Sequence, residues 1–210
     1  MTRYAQLERE GLADQLLSVD PEAPTLCQGW TAQDLAAHLV VRERRGDAAP
    51  GIMIKVFAGW TEHVRRQYRD GHPYPELVEM VRREPWWSPM RIPALDEVTN
   101  LLEFFVHRED VRRAQPQWQP RSLDQGLERA LWQRLRPLAR FRLRTVRADV
   151  TVNAPGFGST RAGAGGPEVR ISGAPGELAL YFFGRPEVAR LDMTGPEELV
   201  TNLRHHRYEV

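Results

Sequence analysis

The chain has 210 residues, 41% of them hydrophobic, with a formal net charge of +1 at pH 7, which permits one larger domain or two small ones with an ordinary buried core. So small a charge excludes a global field drawing the protein to nucleic acid or acidic membranes, and no apolar run approaches bilayer-spanning length. The single cysteine, Cys27, excludes an internal disulfide, and the charged N-terminus lacks the apolar core of a signal peptide, so a cytoplasmic protein is expected.

Leu7, Leu12, Leu16 and Leu17 recur at helical intervals and predict an amphipathic helix over residues 2–19. Pro21, Pro24 and Gly29 break the chain into a loop that includes Cys27 and Trp30. Thr31-Ala32-Gln33-Asp34 has the form of a capping box, with Asp in place of Glu, and opens a second helix through Leu35, His38, Leu39 and Val40. A third helix is expected from Ile52 to about Arg69, on the interval of Ile52, Val56, Trp60 and Val64, and Gly71-His72-Pro73 ends it. Among 29 basic residues, Lys55 of this helix is the one lysine, a bias expected of a GC-rich, actinobacterial-type genome. Tyr74 to Arg83 reads as a short helix, and the prolines of Pro85-Trp86-Trp87-Ser88-Pro89 hold that stretch as a loop. From near Ala94 to Val111 the pattern reads as one long, mostly apolar helix. Four helices with inward polar residues on at least two describe a four-helix bundle.

Past Gln115-Pro116-Gln117-Trp118-Gln119-Pro120 the character changes, giving a helical domain over 1–118 and a small α+β domain over 119–210. Leu123 to about Arg147 is expected to be helical, with Pro137 kinking or splitting it. Alternating segments at 149–152 and 168–171 read as strands, joined by GFGSTRAGAGG. That linker lacks the Gly-Lys-Ser/Thr of a phosphate loop and reads as a hairpin or mobile connection. A helix over 175–184, a strand over 190–193 and a helix over 196–203 complete an α+β fold class.

Glu103 and His107 stand four residues apart on the long helix, so their side chains lie one above the other and can close on one metal ion. Imidazole with carboxylate suits zinc, nickel, iron or manganese better than calcium or magnesium. Glu103 lies between Leu102 and Phe104, where an unpaired carboxylate is costly to bury and a metal ion would account for it. The remaining ligands must come from a facing helix. His38 is the histidine interior to another bundle helix, although singly such a residue is more often a hydrogen-bonded, partly buried one. His63 shares a face with Gly59, Gln67 and Asp70 that reads as solvated, His72 sits in a Gly-His-Pro loop, and His205 and His206 lie near the C-terminus.

Two stretches carry a family resemblance. Cys27-Gln28-Gly29-Trp30-Thr31-Ala32-Gln33-Asp34-Leu35-Ala36-Ala37-His38-Leu39 resembles the Gly-Trp-Thr, Asp-Leu and Ala-His-Leu signature of the DinB-like superfamily, and Glu103-Phe104-Phe105-Val106-His107-Arg108-Glu109-Asp110-Val111 is similar to its second metal motif. Over most of the chain, the layout of helical bundle followed by a small α+β domain resembles the mycothiol-dependent maleylpyruvate isomerase family. The resemblance implies a DinB-like four-helix bundle and a second domain of that isomerase's C-terminal type. It implies that His38, Glu103 and His107 are the ligands of one divalent metal, usually zinc. It implies a low-molecular-weight thiol, mycothiol, as cofactor or co-substrate, and an electrophilic small molecule, in isomerisation or thiol transfer by a monomer or homodimer. An arginine of the second domain tied to activity in that isomerase is carried onto Arg185, in Gly184-Arg185-Pro186, with Arg190 as the alternative. Three protein ligands leave an open position, as in catalytic zinc sites. A non-enzymatic metal- and small-ligand-binding protein of the same fold is the alternative.

Asn100 and Asp110 flank the Glu103–His107 pair by one turn each and are candidates to orient His107 or a bound water, with Arg112 or Arg113 as another partner for Asp110. Cys27 lies outside the metal motif and is expected to pack rather than to ligate or attack. Residues 129–147 hold seven arginines and no acid, and read as a helix face turned to solvent or to acidic groups rather than as a nucleic-acid site. Trp86 and Trp87 are expected either to line the mouth of the site or to plug the bundle end.

Overall fold

The structure is a computed structural model and describes residues 3–45, 47 and 58–206. It is a mixed α and β fold, mostly helical, and the chain divides into two compact units, Met1–Pro120 and Arg121–Val210.

The first unit is built from α1 (Tyr4–Leu17), α2 (Ala32–Arg44), α3 (Ala58–Gly71), α4 (Tyr74–Arg82), α5 (Pro93–Thr99) and α6 (Leu101–Arg113), with a 3-10 turn at Pro89–Arg91. α1 packs on α4 and α6, while α2 packs on α3 and α4. Leu12, Leu16, Leu35, Leu39, Leu77, Val78 and Phe104 are buried in the interior these helices enclose. Each such side chain contributes roughly 1.5–3 kcal/mol by leaving water.

Three helical expectations change here. On α1, Leu7 and Leu17 are exposed, whereas Glu8 and Arg9 are buried beside Leu12 and Leu16. The Arg9 guanidinium tolerates this because it donates to both carboxylate oxygens of Glu43 and to the Val81 carbonyl, and lies 4.4 Å over the Phe104 ring. Of the expected third helix, residues 52–57 lie outside the described residues; in the remainder Val64 is buried and Trp60 is half exposed. The single helix expected from Ala94 to Val111 is two helices, α5 and α6, meeting at Asn100. Asn100 keeps its backbone bonds to Asp96 and Phe104, but its side chain is wholly buried and drawn to polar partners.

In the second unit, α7 (Gln125–Leu143) is followed by β1 (Asp149–Ala154), β2 (Gly158–Ala162), β3 (Glu168–Ser172), α8 (Pro175–Phe182), β4 (Asp192–Thr194) and α9 (Glu197–His205). The strands form one sheet in the order β2-β1-β3-β4, with β1 antiparallel to β2 and parallel to β3, and β3 antiparallel to β4. Period-two alternation buries Val150, Val152, Ala154, Val169 and Ile171 on one face. α7 packs on β1, β2 and α8 through the stripe of Leu127, Leu131, Trp132, Leu135, Ala139 and Leu143. The arginines of residues 129–147 fall outside that stripe, exposed or half-buried, and Arg140 donates to Thr160 Oγ1 at 2.7 Å. Pro137 does not split α7: both Pro137 and Gln133, whose carbonyl would lose its helical partner, are exposed to water. The glycine-rich linker supplies the extra strand β2, so β1 and β2 are a hairpin. Gly163 makes its return possible, with φ +105° and a position where a Cβ would stand 1.9 Å from the Ala148 carbonyl oxygen. No helix among the described residues is long and apolar enough to cross a membrane.

Candidate metal centre

α2 starts where the sequence expects it. Thr31 Oγ1 accepts from the Asp34 amide at 3.3 Å while Asp34 Oδ2 accepts from the Thr31 amide at 3.0 Å, a reciprocal cap. Asp34 also binds Arg65, with Arg69 3.3 Å away, which ties the start of α2 to α3. Two turns in, α2 presents His38, 9% exposed, with the Trp30 ring packed against its imidazole at 4.9 Å between centroids. From α6, Glu103 and His107 follow one another on a single face.

The three predicted ligands come together. His107 Nε2 lies 3.2 Å from Glu103 Oε1, His38 Nε2 lies 3.9 Å from the same oxygen, and the two rings meet edge to face at 5.6 Å between centroids. One donor atom from each of the three lies within 4.8 Å of the others. Donor atoms bound to one zinc at about 2.0–2.2 Å stand roughly 3.3–3.5 Å apart, so the set needs only small adjustments to hold such an ion.

The tautomer of His107 strengthens the fit. Nδ1 faces Asp110 Oδ2 at 2.9 Å, and since a carboxylate only accepts, Nδ1 carries the proton. Nε2 then turns toward the Glu103 carboxylate, an arrangement that calls for a second proton on the ring or a cation between the two. Burial acts to lower the His107 pKa, but Asp110, Cys27 and Glu103 hold it well above its ordinary value. Burial acts to raise the pKa of Glu103, yet His107, His38 and Arg42 keep its carboxyl well below the usual range. For His38, burial lowers the pKa and the positive groups His107 and Arg42 add to the effect, against the pull of Glu103.

Of the two flanking candidates, Asp110 does orient His107. Asn100 does not: its Nδ2 donates to Asp96 Oδ1 at 2.8 Å and its Oδ1 accepts from Arg42 Nη1 at 2.7 Å. Arg42 is the site residue that sequence reasoning missed. It lies one turn past His38 on α2, and its Nε is 3.4 Å from Glu103 Oε1. The His38-x-x-x-Arg42 spacing was a usable signal, the same one that paired Glu103 with His107, but a basic residue in a last helical turn has an ordinary reading as a partner of the helix dipole.

Cys27 Sγ lies 3.3 Å from Asp110 Oδ2 and 3.8 Å from His107 Nδ1, partly buried against the core. Cys27, His107 and Asp110 form a second group that could hold a metal ion, but on the Nδ1 edge of the ring, opposite the Nε2 edge that His38 and Glu103 face. Cys27 therefore does not complete the first ligand set. His63 is exposed beside Trp60, and His72 binds the Tyr68 carbonyl, so neither joins the cluster. Trp86 and Trp87 are 81% and 52% exposed, so they do not plug the bundle.

In the second unit, Arg185 lies three residues past the end of α8, and its Nη1 donates to the Phe183 carbonyl while its amide donates to the Leu180 carbonyl. The backbone amide of Arg190 donates to Glu177 Oε2 at 2.9 Å.

Compared with known proteins, the chain matches no family model, no curated protein and no solved structure.

Proposed function

We propose that the chain is a divalent-metal-dependent enzyme of the DinB-like, mycothiol-dependent maleylpyruvate isomerase type, which uses a low-molecular-weight thiol, mycothiol, to isomerise an electrophilic small molecule or transfer the thiol to it. The observation that carries the reading is the convergence of His38, Glu103 and His107 from two separate helices, at separations that suit one ion. The motif resemblance of residues 27–39 and 103–111 adds to it, and on this reading α1, α2, α3 and α6 are the DinB-like four-helix bundle, with α4 and α5 short additions.

His38, Glu103 and His107 would hold the metal, Zn2+ by preference for an imidazole and carboxylate set. When bound, such an ion makes a thiol at its open position a thiolate at neutral pH. Asp110 keeps the proton of His107 on Nδ1, so that Nε2 offers its lone pair to the centre. Trp30 holds the His38 ring from the side. Arg185 is the catalytic candidate from the second unit. The protein works in the cytoplasm on small molecules, as a monomer or homodimer, without nucleic acid or membrane partners.

A non-enzymatic metal-binding protein would be expected to close the coordination sphere with a fourth protein ligand. The position of Cys27 on the far edge of His107 speaks against this. The test is metal analysis of purified protein together with a screen of thiol consumption against electrophiles, with mycothiol, bacillithiol and glutathione side by side. About one ion per chain is expected, lost in His38→Ala and in His107→Ala. Full retention of metal in both variants would sink the site assignment, and metal without any thiol-dependent turnover would favour the binding protein.

A further inference from the structure

We infer that Arg42 builds an anion subsite at the metal centre, so that the external donor admitted beside His38, Glu103 and His107 is an anion and not a neutral molecule. The inference rests on the metal reading above and adds to it the charge of what the site accepts.

An arginine side chain carries a permanent positive charge, and two of the groups that hold the Arg42 guanidinium are neutral. Nη1 is held by the neutral Asn100 Oδ1 at 2.7 Å, and Nη2 faces the Thr99 carbonyl at 3.5 Å. Asn100 is wholly buried and fixed in turn by Asp96, so the guanidinium is positioned in advance. Its Nε lies 3.4 Å from Glu103 Oε1, the same oxygen faced by His38 and His107. Any cation held by Glu103 therefore shares that carboxylate with Arg42. Asp110, the other acid, is engaged by His107 Nδ1 and Cys27 Sγ. At the three ligands themselves, a divalent ion and Arg42 would carry three positive charges against the two negative ones of Glu103 and Asp110, while the next acid, Asp96, is turned to Asn100 and lies 3.9 Å from Arg9. In a partly buried site, where screening is weak, that surplus favours an anionic donor such as a thiolate. The side chains of Glu103 and Arg42 are 15% and 19% exposed, which keeps this side open to a ligand from solvent.

The probe is the full chain loaded with cobalt(II), titrated separately with azide and with neutral imidazole and followed by visible absorption. Arg42→Gln is expected to weaken azide binding at least about tenfold while imidazole affinity stays within about twofold, and Arg42→Lys, which keeps the charge, is expected to retain most of the azide affinity. Azide affinity in Arg42→Gln within about twofold of wild type overturns the subsite, and so does an equal loss of azide and imidazole, which would indicate lost site shape. Cobalt content per chain is measured first: cobalt uptake with no azide preference defeats the subsite alone, whereas a wild-type chain that takes up no cobalt defeats the metal reading and the subsite with it.

Discussion

His107 divides its two ring nitrogens between Asp110 and the ligand cluster, which makes Asp110 the residue on which the orientation of that cluster depends. Asp110→Asn keeps the shape but no longer fixes the proton on Nδ1, and metal affinity is expected to fall about 10–100-fold, measured by competition with a chelator of known affinity. Unchanged affinity would show that Asp110 is only a buried neighbour. The Glu103–His107 pair was legible because its spacing is a property of one helix. Arg42 stands at the same spacing from His38 but reads as an ordinary helix-end cation until Glu103 and Asn100, on other parts of the chain, are set beside it. At the same scale, Arg65 and Arg66 hold Glu62 down to about 2, and the Thr31 amide with Arg65 and Arg69 lowers Asp34 despite its burial. A carboxyl whose pKa falls on folding adds stability that is present above its unfolded value and lost as pH drops through its folded one. Acid unfolding followed from pH 5 to 2 should therefore be shallower in Glu62→Gln than in wild type, with the difference opening between 4.5 and about 2. Parallel curves would refute it.

Among the elements, α2 has the best-marked start, and the cap that marks it also sets the register that points His38 inward. Thr31→Ala is expected to cost about 0.5–2 kcal/mol in chemical denaturation, since it leaves the Asp34 amide without its side-chain partner. A cost near zero would mean that the Asp34–Arg65 pair alone holds this end. Cap, loop and strand patterns were readable because each is written in neighbouring residues. The break at Asn100 and the buried charge on α1 were not, because the partners that permit them are distant: Arg42 lies 58 residues from Asn100, and Glu43 lies 34 residues from Arg9. Periodicity counts apolar positions and cannot see a polar side chain that is satisfied from another helix. Pro137 deceived for a related reason, since the cost of a proline depends on which way the freed carbonyl faces.

At the scale of the molecule, each unit has its own buried interior, one of helices and one of a sheet with α7 and α8. A fragment of residues 1–120 is therefore expected to unfold cooperatively and to bind metal as the full chain does, checked by circular dichroism and metal analysis. Loss of metal binding in a folded fragment would place a ligand in the second unit. The division of the ligand set between α2 and α6 has a further consequence for the first unit. About 65 residues of chain separate His38 from Glu103, and an ion joining them closes that loop as a disulfide would, in a protein whose single cysteine can form none within the chain. Unlike a disulfide, such a staple would be reversible: its strength would follow the free metal concentration, so α2 and α6 would be held together most firmly when the proposed ion is supplied.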